Sequence, residues 1–138
     1  MQVSGACHCG AIRLAATVDP SRVVVCHCAD CQVLTGTAYR VVVPAPVETF
    51  QLHGEPKRYV RTGDSGAKRV QAFCPECGTP LFAIALEGAA HVSLRVGVLD
   101  QRAQLKPSLQ IWMRSALPWA RSLTGVAGCE QQELFGAR

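Results

Sequence analysis

Apolar and polar residues alternate with a period of two along much of this chain, which predicts a mainly β protein built from short strands. Ile12, Leu14 and Ala16 interleave with Arg13 and Ala15 until Asp19-Pro20 ends the run. Further strands are expected over 23–25, 39–43, 47–53, 57–62 and 67–73. Pro44, Gly54-Glu55-Pro56 and Gly63-Asp64-Ser65-Gly66 supply the stops and turns between them. Residues 80–86 read as a buried strand. Val92, Leu94, Val96 and Val98 alternate across 91–99, and 109–113 is the last candidate. A helix is expected only over 29–34, with a turn near 130–134. The picture is of sheets joined through metal rather than around one large core.

Composition narrows the class. With 138 residues there is room for one domain. Apolar residues make up 49% and charged residues 17%, which excludes general disorder. The longest apolar run, 81–86, is far short of the roughly 20 residues a membrane helix needs, so no membrane association is expected. The N-terminus shows neither a basic region nor an apolar region of the signal-peptide kind, and a cytoplasmic address is expected.

Cysteine changes the picture most. There are eight, and a reducing cytosol does not sustain a disulfide framework, so their density points to metal. Metal also changes the charge balance. Binding seven of them as thiolates around two Zn²⁺ ions would bring the formal +4 down to +1, which removes the case for a nucleic-acid partner. Eleven of the 14 basic residues are Arg, which suits carboxylate pairing as well as phosphate.

The spacing is C-x-C-G at Cys7, Cys9 and Gly10, C-x-C-x-x-C at Cys26, Cys28 and Cys31, and C-x-x-C-G at Cys74, Cys77 and Gly78. C-x-x-C-G is a zinc-knuckle turn, in which Gly relieves crowding and amides can point at the thiolates. C-x-C on an extended segment turns both sulfurs to one side. The two Gly-trailed pairs suggest one closed tetrahedral site: Cys7, Cys9, Cys74 and Cys77. The middle group supplies three sulfurs and no obvious fourth ligand. That is the pattern of a catalytic zinc with an open position for water or a substrate thiol. In the alternative, both groups are structural and Cys129 or a histidine completes the second. His8 and His27 sit between cysteines and, on extended segments, point away from the sulfurs. His53 and His91 carry no assigned role.

These segments resemble a known family. CHCGAIRL, CHCADCQVLTGTAY, GEPKRYVRTGDSG, FCPECGTPLF and SLQIWMRSALPW are similar to the glutathione-dependent formaldehyde-activating enzyme family, which shares a domain with centromere protein V. The resemblance spans about 3–119, leaving 120–138 as an extension of a single domain. It implies a zinc-stapled β-tent of small antiparallel sheets. It implies Cys7, Cys9, Cys74 and Cys77 as structural zinc ligands, and Cys26, Cys28 and Cys31 as ligands of a catalytic zinc. The implied activity is carbon–sulfur lyase chemistry: reversible addition of a small thiol, glutathione, to formaldehyde. A non-catalytic zinc-stabilised binding module and a thiol redox sensor are the alternatives. Carboxylates of such a thiol need cations, and Lys57, Arg58, Arg61, Lys68 and Arg69 cluster around one turn, with Arg40 as a further candidate. Thr35, Thr37 and Asp30 lie close to the three-cysteine group. Packing explains Trp112 and Trp119 before substrate stacking does.

Overall fold

Strands form where the period-two pattern runs into a turn-forming break. The computed structural model describes residues 1–63 and 65–132 and places ten strands in two sheets. β1 (Gln2–Ala6), β2 (Arg13–Thr17) and β5 (Gln51–His53) make a three-stranded antiparallel sheet in the order β1-β2-β5. The second sheet contains β3 (Val24–Cys26), β4 (Arg40–Pro46), β6 (Lys57–Thr62), β7 (Lys68–Phe73), β8 (Pro80–Ala85), β9 (His91–Arg95) and β10 (Leu109–Ile111). Its order is β10-β3-β4-β9-β8-β7-β6, antiparallel except where β10 runs parallel to β3. One α-helix, α1 (Ala29–Thr35), follows β3. No helix among the described residues is long and apolar enough to cross a membrane.

The mainly β architecture is the expected one, and four local features depart from the sequence pattern. β1 was not expected, because Ser4 and Gly5 weaken its alternation; it becomes a strand by pairing with β2, Val3 opposite Ala16. β4 continues through Pro44 to Pro46. β3 begins opposite Val42, so on that side Pro44 has no neighbouring strand to supply with an N–H. The stretch 47–53 splits into a 3-10 turn, Val47–Thr49, and β5. The alternation of 91–99 is strand only to Arg95, after which Val96–Val98 winds into a 3-10 turn that still buries Val96. In the turn expected over 63–66, Asp64 lies outside the described residues, as do residues 133–134 of the one expected near 130–134.

Each sheet presents one apolar face to the other. Val43, Leu94, Phe82 and Ala72 form a continuous cross-strand row on β4, β9, β8 and β7. They meet Val3, Leu14 and Ala16 of the smaller sheet in one buried cluster. This corrects the expectation of sheets joined through metal rather than a core: the cysteine loops sit beside a shared core. Gly5 sits at a close approach between β1 and the segment after β9. A Cβ there would collide with the Val98 carbonyl, where β1 bridges to Leu99.

The opposite face of the large sheet is different. The same register that buries Val43 and Leu94 turns Cys26, Arg40, Arg95, Ser93 and Gln71 to the other side. α1 and the segment after β10 cover this polar face. Gln32 of α1 donates to the carbonyls of His27 at 2.7 Å and Ser115 at 2.9 Å, joining the two covers.

Candidate metal centres

The first centre is assembled from two loops that are distant in sequence. Cys7 and Cys9 leave β1, and Cys74 and Cys77 lie between β7 and β8. Their four sulfurs all lie within 4.8 Å of one another. Cys7 and Cys9 Sγ are 3.5 Å apart, and Cys9 and Cys74 Sγ 3.7 Å. A tetrahedron with metal–sulfur bonds of about 2.3 Å has sulfur–sulfur edges of about 3.8 Å, so the separations fit a zinc ion and exceed a disulfide bond by far. Gly10 and Gly78 follow the pairs with φ of 78° and 72°, the left-handed turn that the knuckle requires. The Ile12 amide donates to Cys7 Sγ at 3.2 Å, and the Cys77 sulfur lies 3.1 Å from the Thr79 hydroxyl. The His8 amide donates to that same hydroxyl at 3.1 Å and binds one loop to the other.

The second centre is local. Cys26 ends β3, Cys28 caps α1 and Cys31 lies in its first turn. The Cys28 sulfur accepts from the Cys31 amide at 3.4 Å, so the helix cap itself turns two of the sulfurs towards each other. The three Sγ atoms lie within 4.8 Å of one another, and among the described residues no fourth Cys, His, Asp or Glu joins them. Cys129 is exposed and belongs to neither group. No histidine belongs to either group: the His27 ring is buried and its Nε2 lies 2.8 Å from Gln110 Oε1, on a different side from the sulfurs.

The electrostatics of both centres ask for a cation. Cys26 is pushed down to about 5 by its contact with Cys31, and Cys31 is pushed up by the same contact and by burial. In the first centre Cys77 is pushed down to about 5 by the Thr79 hydroxyl and amide. The Ala11 amide pulls Cys9 down, but the sulfurs of Cys7 and Cys77 together outweigh it and push Cys9 up to about 12. Crowded sulfurs cannot all ionise side by side unless a positive ion sits among them.

Cys26, Cys28 and Cys31 open onto a cavity of about 330 Å³ on the polar face of the large sheet. Four guanidinium groups line it: Arg40, Arg61, Arg69 and Arg95. Arg40 is the direct cross-strand neighbour of Cys26, and Arg95 lies opposite Val42, in the next row of that face. Arg61 and Arg69 face each other on the β6–β7 hairpin, and Arg61 forms an ion pair with Asp30 of α1. Gln71 accepts from Arg40 at 3.1 Å and from Arg95 at 2.6 Å through the same Oε1. Trp112 closes one side in a left-handed backbone conformation, φ 59° and ψ 38°.

Of the expected basic cluster, only Arg61 and Arg69 reach the cavity; Lys57, Arg58 and Lys68 are exposed and lie outside its lining. Arg40 reaches it as well. Thr35 and Thr37 do not, because their hydroxyls bond the Cys31 and Tyr39 carbonyls and end the helix. Trp119 is exposed. The sequence pattern does not by itself single out Arg95 and Gln71. Both lie on the polar phase of alternating strands, and that phase is the one signal in the sequence that would have found them.

The family model described as glutathione-dependent formaldehyde-activating enzyme matches residues 2–115. A crystal structure of a Rhodobacter sphaeroides protein is similar at a TM-score of 0.60 and 18% identity, covering 78% of this chain and 98% of that one, a likeness of fold. No curated protein sequence matches.

Proposed function

The chain belongs to the glutathione-dependent formaldehyde-activating enzyme family, and from that premise we propose that it is a zinc-dependent, carbon–sulfur lyase-like enzyme acting on adducts of small thiols, with glutathione and formaldehyde as the leading pair. Cys7, Cys9, Cys74 and Cys77 take a structural zinc. Cys26, Cys28 and Cys31 would hold a second one at the wall of the cavity. A zinc ion held by three thiolates supplies a soft site where a thiol stays deprotonated near neutral pH.

The reaction needs no further reactant. A bond forms between the thiol sulfur and the carbonyl carbon. The carbonyl π pair passes to oxygen, which receives the proton the thiol gave up; the product is S-hydroxymethylglutathione. The reverse step eliminates the aldehyde. The chain's own part is to present three sulfurs on one side of an enclosed space, to surround the thiol with guanidinium groups, and to hold Arg61 in place through Asp30.

One observation carries the reading: three sulfurs within ligand distance of one another, without a fourth protein ligand among the described residues, at the wall of a cation-lined cavity. Exchange spectroscopy on glutathione and formaldehyde tests it. The wild type with two zinc ions is expected to speed the exchange between free thiol and adduct, and Cys28→Ser to abolish the effect. A two-zinc protein that leaves the exchange of every small thiol at the uncatalysed rate overturns it.

A further inference from the structure

Two of the cavity's arginines are buried without an anion. Arg40 is 4% exposed and Arg95 8%, and the partner they share among the described residues is the neutral amide oxygen of Gln71. The Nε of each is buried with no hydrogen-bond partner. Among the described residues the one ion pair is that of Arg61 with Asp30, which leaves Arg40 and Arg95 without a carboxylate. A buried, half-satisfied charge is costly, and two facing each other across one amide cost more. Proteins retain such an arrangement where a ligand completes it.

The zinc centre does not complete it. Three thiolates around a divalent ion carry one negative charge, which cannot answer both Arg40, the cross-strand neighbour of Cys26, and Arg95. Among the described residues neither Arg95 nor Arg69 forms an ion pair. The surplus is positive and lines the same cavity as the three sulfurs. Guanidinium groups match carboxylates through paired N–H donors, and Gln71 fixes both forks to one point.

We propose that Arg40 and Arg95, bridged by Gln71, form a carboxylate seat in the cavity, so that the enzyme selects thiols that carry a carboxylate over neutral thiols of the same shape. This rests on the thiol reading given above and adds the residues that select the ligand. Arg95 is a binding residue on this account, and Gln71 positions the two guanidinium groups.

Calorimetric titration of the two-zinc protein tests it with glutathione, its diethyl ester, in which both carboxylates are masked, and S-methylglutathione, in which the sulfur is blocked. A second pair, 3-mercaptopropionate and 2-mercaptoethanol, repeats the comparison on a smaller scaffold. The acid is expected to bind at least tenfold more tightly than its ester, and the mercapto acid more tightly than the alcohol. In Arg95→Gln, with two zinc ions still bound, the ratio of acid to ester is expected to fall to about one, and Arg95→Lys to recover part of it. Equal affinity for acid and ester, or no binding by either carboxylate thiol, overturns the seat; binding of the ester or of mercaptoethanol then leaves the thiol reading standing. S-methylglutathione binding as tightly as glutathione has the opposite meaning: the seat stands and the thiol reading falls.

Discussion

Cys28 performs two tasks that can be separated at a single atom. Its sulfur caps α1 and, on the reading above, is one of three ligands. Serine is the better N-cap and the poorer zinc ligand. Cys28→Ser is therefore expected to keep the melting temperature within a few degrees while zinc content falls from two ions per chain to one, measured by atomic emission. Arg95 makes the opposite trade. Burial, and then the charge of Arg40, push its guanidinium down to about 9, so it remains a cation at neutral pH held where a cation is disfavoured. Replacing an unanswered buried charge with an apolar side chain of similar length removes that penalty. Arg95→Met is expected to raise the melting temperature of the ligand-free protein by roughly 2–5 °C while weakening glutathione. A fall in melting temperature would mean that Arg95 is held for stability.

Two loops and one close approach decide how the elements hold together. The β1–β2 loop of one sheet and the β7–β8 loop of the other bring four sulfurs together. A structural zinc contributes on the order of 10 kcal/mol, comparable to the whole stability of an ordinary domain, about 5–15 kcal/mol. Cys77→Ser is accordingly expected to give insoluble or unfolded protein by circular dichroism. Cys31→Ser, which touches the local centre alone, is expected to stay folded and lose activity. Gly5 sits where β1 meets Leu99 with no room for a methyl group. Gly5→Ala is expected to cost about 1–3 kcal/mol in urea denaturation, with zinc content unchanged.

At the scale of the molecule, the large sheet works as a partition, with the apolar core on one face and the charged cavity on the other. Surplus positive charge in that cavity has a consequence for kinetics. The association rate of glutathione, followed by stopped flow, is expected to fall as salt rises from 50 to 500 mM, on the order of several-fold, because screening shortens the reach of the guanidinium field. The chain by itself determined the strand-rich class and the three cysteine groups, because these depend on spacings of one to three residues and on the rigid geometry of a turn; the Gly that trails two of the groups suggested their division into four and three, which the fold realises by bringing together loops 65 positions apart. It also showed Arg40, Arg61 and Arg69 as candidate cations. It did not show that Arg40 and Arg95, 55 positions apart, share one amide oxygen. Strand alternation says that a residue points away from the core, but not which strands lie side by side. Only the order β3-β4-β9-β8-β7 brings Cys26, Arg40, Arg95 and Gln71 onto one surface, and that order follows from how the two sheets bury their apolar faces together, a long-range balance that no local spacing encodes.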